Sequence, residues 1–167
     1  MKKILMNILT FAVMAAIIVI LVLSLGTQEG MKFVYKGNDT HKIIEIKANE
    51  YPCAECNMVI EHLAYIAQVS LDNGDTYFFD DIGCVVLWLE KHPSGVVKIV
   101  TKTLDTHEWV AVKDAWYSRI EPSPMGYGFG AYAGNKEGRV PYDEMRLLML
   151  QGKNLHDPFI KKQLLEK

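Results

Sequence analysis

The sequence has few of the residues from which catalytic sites and disulfide scaffolds are built. The 167-residue chain has three cysteines, an odd and low number that excludes a fold built on several disulfides. Its five histidines are scattered, with no His-x-His or His-x-x-x-His pair to indicate a catalytic zinc site. It has no phosphate-binding loop, dinucleotide fingerprint or nucleophilic triad motif. Basic residues form no run and the formal net charge is −2, which disfavours a nucleic-acid partner.

One long hydrophobic run is present, and it lies at the N-terminus. Ile4–Leu25 carries no charge and follows two lysines. About 20 apolar residues suffice for a helix to cross a bilayer, and lysines on the N-terminal side place that end in the cytoplasm. Residues 24–26 also resemble a signal-peptide cleavage site, but the run exceeds the roughly 7–15 apolar residues of such peptides. We therefore predict that residues 1–26 form a single-pass anchor or uncleaved signal, with the following domain outside the cytoplasm.

The remainder of the chain predicts an α+β domain of short strands and helices. Residues 27–49 are predicted to form a linker containing a strand at Lys42–Lys47. The strong Asn73-Gly74 turn signal predicts a hairpin, and Asp80 or Asp81 is suited to cap a helix. In residues 50–104 we predict strands at Ala64–Leu71, Thr76–Phe79 and Val96–Val100 and a helix at Ile82–Lys91. In residues 105–167 we predict strands at Glu108–Val112, Ala115–Ile120 and Gly128–Ala133, a helix at Tyr142–Gln151 and a short amphipathic helix in the tail.

The most informative segment is Cys53-Ala54-Glu55-Cys56-Asn57-Met58. Two thiolates three residues apart can bind one ion, and a thioether two residues further on adds a third soft donor. Soft sulfur ligands favour Cu(I), with Zn(II) second. Two other interpretations stay open. The pair could be a structural disulfide, or a redox pair, although a redox pair needs its first Cys at a helix N-terminus. A c-type haem site is excluded because Asn57 stands where His is required.

Three further positions bear on this site. Met125 lies in a loop rich in proline and glycine, which makes it a candidate fourth sulfur donor. Cys84 lies on the apolar predicted helix, where a buried Cys ordinarily acts as a small hydrophobe. The pair Asp80-Asp81 is better explained by helix capping than by acid–base chemistry.

The sequence resembles the NosL family, which comprises accessory copper chaperones for nitrous oxide reductase. The matching segments run in family order over roughly residues 51–149. They are Cys53-Ala54-Glu55-Cys56-Asn57-Met58, Asn73-Gly74, Phe79-Asp80-Asp81-Ile82-Gly83, Ala115-Trp116-Tyr117 and Pro124-Met125-Gly126-Tyr127-Gly128. Two departures stand out: many members are lipoproteins, whereas this chain has an apolar helix, and Asn57 replaces a common Gly.

This resemblance implies a Cu(I) chaperone on the outer face of the cytoplasmic membrane. It implies two small related units after the anchor, ββαβ in residues 50–104 and ββα(β) with the Pro-Met-Gly loop in residues 105–167. The family's sulfur ligands carry over to Cys56, Met58 and Met125, and Cys53 matches members that have a Cys-x-x-Cys. The implied partner is the copper-accepting reductase or its membrane maturation complex.

We therefore predict a membrane-anchored, non-enzymatic Cu(I) carrier that uses Cys53, Cys56, Met58 and Met125. The alternative from another class is a thiol–disulfide oxidoreductase that services cysteines of a copper-protein partner. A third interpretation is a structural subunit in which the two cysteines only form a stabilising disulfide.

Overall fold

The chain divides into two compact units, Met1–Met31 and Lys32–Lys167. A computed structural model describes residues 2–26 and 32–166. In the first unit it describes one 25-residue helix, α1 (Lys2–Gly26). The described part of the chain contains no helix that is both long and apolar enough to cross a membrane. In α1 the structure describes the side chains of residues 4, 6, 8, 9 and 11–21. The membrane anchor stays a prediction.

The second unit begins with a four-stranded antiparallel sheet. Its elements are β1 (Ala67–Leu71), β2 (Thr76–Phe79), α2 (Ile82–Lys91), β3 (Val96–Lys102) and β4 (Trp109–Ala111). The strand order is β2-β1-β3-β4, so β1 lies in the interior and β2 at one edge. The predicted hairpin joins β1 to β2, and Gly74 takes a φ of 80° in its turn, a conformation that glycine adopts without strain.

A smaller three-stranded antiparallel sheet follows. It consists of β5 (Trp116–Ser118), β6 (Gly130–Tyr132) and β7 (Val140–Pro141) in the order β6-β5-β7. The helix α3 (Tyr142–Leu150) packs against α2, and the chain continues into α4 (Pro158–Leu165). The two sheets and the helices confirm the predicted α+β class.

Two details of the prediction are wrong. Lys42–Lys47 forms no strand, because its backbone bonds to a side chain instead of to a sheet edge. The Gln68 amide donates to the Ile44 carbonyl at 2.6 Å and accepts from the Ile44 N–H at 3.1 Å. In addition, β4, which we predicted within the unit of residues 105–167, pairs with β3 of the first sheet. Residues 50–104 therefore form ββαβ, and β4 from the following segment adds a fourth strand to their sheet. In the remainder of the chain, β5, β6 and β7 precede α3, and no described strand follows it.

The hydrophobic core surrounds the first turns of α2. Phe78 and Phe79 at the end of β2 are fully buried, as are Val85 and Val86 on α2. Gly83 lets an aromatic ring lie directly on the helix: a Cβ at this position would be 2.4 Å from Cδ2 of Tyr127. The close approach places the loop that contains Met125 beside the N-terminus of α2.

Candidate metal centre

The Cys-x-x-Cys-x-Met segment is a tight turn fixed by its own backbone. The Cys53 N–H donates to the Met58 carbonyl at 2.7 Å, and the Asn57 N–H donates to the Cys53 carbonyl at 3.0 Å. Asn57 has a φ of 60°, in the left-handed region that Gly and Asn tolerate best. Asparagine can therefore serve where the resemblance expects glycine, and the turn aims both cysteines toward the same side.

The turn is attached to the edge strand of the first sheet. The Ala54 N–H donates to the Phe78 carbonyl at 2.9 Å. Asp80 follows β2 directly, and Asp81 caps α2 by accepting from the Gly83 N–H at 2.8 Å. Cys84 consequently lies in the first turn of α2. Three elements thus deliver their side chains to one place: the turn, the end of β2 and the start of α2.

Three cysteines and one carboxylate converge there. One ligand atom from each of Cys53, Cys56, Asp80 and Cys84 lies within 4.8 Å of every other. All three cysteines are free thiols. Cys53 and Cys84 are 0% exposed and Asp80 is 2% exposed, whereas Cys56 is only partly buried. We call these four residues the cysteine–aspartate cluster.

Hydrogen bonds and burial determine how readily each thiol of this cluster loses its proton. The Cys56 thiol donates to the Asp80 carboxylate, with Sγ 3.7 and 3.8 Å from the two oxygens. A hydrogen bond from the Cys84 thiol lowers the pKa of Cys53 and raises that of Cys84 far above its usual range. Burial raises the pKa of Cys56 to about 12. A metal ion must therefore displace protons to bind here, and the N-terminus of α2 helps to hold the resulting negative charge.

The loop with Met125 is held next to this cluster by the second aspartate. The Met125 N–H donates to Oδ2 of Asp81 at 3.3 Å, and the Met125 carbonyl accepts from Nε2 of His156 at 2.7 Å. Burial raises the pKa of Asp81 to about 6, even though hydrogen bonds from Ser123, Gly83 and Met125 act in the opposite direction. Asp81 thus caps α2, as predicted, and it also hydrogen-bonds the loop to α2.

A cleft of about 380 Å³ opens beside the cluster. Asp80 belongs to its wall, together with residues from both segments that the sequence singled out; the others are Met58, Val59, Glu61, His62 and Pro124. The Met58 side chain is 48% exposed there, and Met125 is half-buried against the core. The two distant segments do meet, and the use of both thioethers as metal ligands stays a prediction.

The structure adds two residues that the sequence analysis assigned to other roles. Cys84 is buried, as predicted, but its sulfur faces the other thiols, and Asp80 is a cluster member whereas Asp81 is the cap. The sequence feature that could have indicated the position of Cys84 is the helix cap, since a cap at Asp81 puts Cys84 in the first helical turn. Helix periodicity alone marks that position only as apolar.

Comparisons with known proteins were made on sequence and on structure. The chain matches no protein-family model and no curated protein sequence. The crystal structure of the copper chaperone NosL from Shewanella denitrificans is similar, with a TM-score of 0.54 and 12% sequence identity. The similarity covers 62% of this chain and 95% of that chain. The chain has a NosL-like fold. The cysteine–aspartate cluster is compatible with metal binding.

Proposed function

We propose that this protein is a Cu(I) chaperone that holds copper with sulfur ligands at the edge of its first sheet and passes it to an acceptor protein. One observation carries the proposal: three free thiols and a carboxylate have their ligand atoms within 4.8 Å of one another, beside an open cleft. The NosL-like fold supports the same conclusion, since the similar solved structure is of a copper chaperone.

The donor atoms favour copper in its reduced state. Thiolate and thioether sulfur bind the soft Cu(I) ion well, whereas divalent magnesium, calcium and manganese prefer oxygen. We propose Cys53, Cys56, Met58 and Met125 as ligands. Met58 is the most exposed of these and lines the cleft, and an acceptor's ligands need such access before the donor's ligands let go.

The burial of the cysteines argues against the redox alternative. A catalytic pair attacks through an accessible thiolate with a lowered pKa. Cys53 has a lowered pKa but is fully buried, whereas Cys56 is accessible but has a pKa raised to about 12. Neither thiol combines the two properties, so a carrier fits the geometry better than a thiol–disulfide oxidoreductase.

The proposal includes a location and a recipient. The uncharged run Ile4–Leu25 lies in α1, whose described large apolar side chains are exposed. We propose that α1 tethers the domain on the outer face of the cytoplasmic membrane. The proposed recipient, from the family resemblance, is nitrous oxide reductase or the membrane complex that assists its maturation.

Copper binding is tested by anaerobic competition with a chromophoric Cu(I) chelator on the full-length protein in detergent. We expect one tightly bound Cu(I) per chain, lost in Cys56→Ser. Met58→Leu and Met125→Leu remove a thioether at nearly constant volume and should weaken binding, whereas Met145→Leu, in the core at 0% exposure, serves as the matched control. An unchanged affinity in Cys56→Ser would remove the cluster from the function.

Location and delivery need separate measurements. The full-length protein should remain in the membrane fraction after an alkaline wash, and a chain lacking residues 2–26 should not. Incubation of the copper-loaded protein with copper-free nitrous oxide reductase should transfer copper to the reductase. Retention of all copper by the loaded protein would contradict this recipient while leaving copper binding intact.

A further inference from the structure

The position of Cys84 sets it apart from an ordinary core cysteine. A core cysteine is surrounded by apolar side chains and acts as a small hydrophobe. Cys84 is as buried as its neighbours Val85 and Val86 on α2. Its sulfur, however, is within 4.8 Å of the sulfurs of Cys53 and Cys56 and of a carboxylate oxygen of Asp80.

We propose that Cys84 supplies a third cysteine sulfur to the bound Cu(I), a role that rests on the proposed copper function. The ion would then have an inner ligand set of Cys53, Cys56 and Cys84, and Met58 lines the cleft beside it. Each coordinating thiol releases its proton as the Cu–S bond forms, and the copper stays Cu(I) throughout.

Cys56 connects the inner set to the cleft. It is the least buried of the three cysteines, and its thiol contacts Asp80, which also lines the cleft beside Met58. Cys53 and Cys84 have no exposed surface, so an acceptor cannot reach their sulfurs directly. Copper held by the inner set is therefore protected from other thiols, and its way out is through Cys56.

The number of sulfur ligands is a physical consequence that can be measured. Three cysteine sulfurs can surround Cu(I) only if Cys84 loses its thiol proton and its sulfur, already within 4.8 Å of the other two, binds the ion. The N-terminus of α2 favours this change because it stabilises negative charge in the first helical turn. Asp80 provides an oxygen, a donor that Cu(I) does not prefer.

The test uses the full-length protein with Cu(I) as the only added metal. Cys84→Ser and Cys84→Ala are compared with the wild type by anaerobic chelator competition and by copper K-edge EXAFS. Loss of an outer-shell partner weakens metal binding about 10–100-fold, so loss of a ligand should weaken it at least ~100-fold. We expect this loss in both variants, with one sulfur fewer around copper.

Controls separate a ligand from a packing residue. The metal-free variants are compared with the wild type by thermal unfolding, and Val85→Ala serves as a matched truncation at a neighbouring buried position that offers no donor. Val85→Ala should lower stability without changing the sulfur count. A smaller loss of affinity in both Cys84 variants, or an unchanged sulfur count, would overturn the role of Cys84 even if Cys56→Ser abolishes binding. A wild-type protein that binds no Cu(I) would instead overturn the proposed function itself.

Discussion

Replacing Gly83 by alanine tests how the Met125 loop is held against α2. In an exposed helix this change stabilises a protein by up to about 1 kcal/mol, because glycine loses more backbone entropy on folding. Here the added Cβ would lie 2.4, 3.0 and 3.1 Å from Cδ2, Cε2 and Cγ of Tyr127. The ring cannot easily retreat, because it is 9% exposed and its centroid is 4.7 Å from that of His156.

The magnitude follows from two opposing effects. Overpacking a well-packed site costs about 1–3 kcal/mol, and the gain in helix propensity offsets up to about 1 kcal/mol of it. Because the overpacking cost exceeds the gain in helix propensity, we expect Gly83→Ala to lower the free energy of unfolding by about 1–2 kcal/mol. Displacement of the ring should also move Met125, two residues away, and weaken Cu(I) binding.

The assay is urea unfolding followed by tryptophan fluorescence, since all three tryptophans lie in the second unit. Gly134→Ala is the control, because a Cβ there would have nothing within 4 Å, and it should change stability by less than about 0.5 kcal/mol. In a Tyr127→Ala background the steric conflict is absent, so Gly83→Ala should become stabilising. The same destabilisation in both backgrounds, or a stabilised single variant, would refute the reasoning.

Three further predictions concern protonation and backbone strain. The pKa of Cys56 is raised to about 12 in the metal-free protein, so Cu(I) binding must release its proton. The apparent affinity for Cu(I) should therefore rise up to about tenfold per pH unit per proton between pH 6 and 8. Chelator competition at several pH values measures this dependence, and an affinity that does not change with pH would contradict it. The pKa of Asp81 is raised to about 6 by burial, so its contribution to stability is fully present below pH ~4 and is lost as the pH rises through about 6. Urea unfolding of the metal-free protein should show the wild type gaining up to about 3 kcal/mol relative to Asp81→Asn as the pH falls from 7 to 4, and parallel pH profiles would show that Asp81 does not titrate in this way. Asn57→Val places a β-branched residue at a φ of 60° and should lower stability by about 1–2 kcal/mol, whereas Asn57→Gly should be nearly neutral; equal melting temperatures would rule out strain at this turn.

Local sequence signals predicted most of the secondary structure because their causes are local. The Asn-Gly turn and the alternation around it placed β1 and β2, and an aspartate followed by an apolar run placed α2 at its observed bounds, Ile82–Lys91. Turn conformation and capping depend on residues close in sequence. The elements nearest to the site were therefore among those that the sequence predicted best.

Long-range competition explains the elements that were wrong. Lys42–Lys47 has strand-like residues, but the edge of β2 is already occupied by Tyr35, which exchanges backbone hydrogen bonds with Thr76, and by Ala54. Its Ile44 backbone pairs with the buried Gln68 side chain instead. A residue pattern cannot reveal which edge is free, nor that β4 joins the first sheet while β5 starts another.

The candidate site was predicted in part for the same reason. Cys53 and Cys56 lie three residues apart, so their proximity is visible in the sequence. Cys84 is 28 positions beyond Cys56 in the chain, and it reaches them only because Ala54 pairs with β2, the strand that leads into α2. The sequence indicates that Cys84 is buried, and the fold determines that it is buried against sulfur.

Burial decreases stepwise from the inner cysteines to the cleft, and this gradient gives a chaperone a direction of transfer. Cys53 and Cys84 have no exposed surface, Cys56 is partly buried and Met58 is 48% exposed. Ligands around a soft ion can exchange one at a time, so an acceptor thiol entering the cleft would first meet copper where Met58 or Cys56 holds it. Fully buried ligands would retain the ion, and fully exposed ligands would lose it to any thiol in solution. Because Cys56 is the only cysteine of the cluster that an acceptor can approach, its loss should abolish tight binding, whereas the loss of Cys84 should leave copper bound but easier to remove.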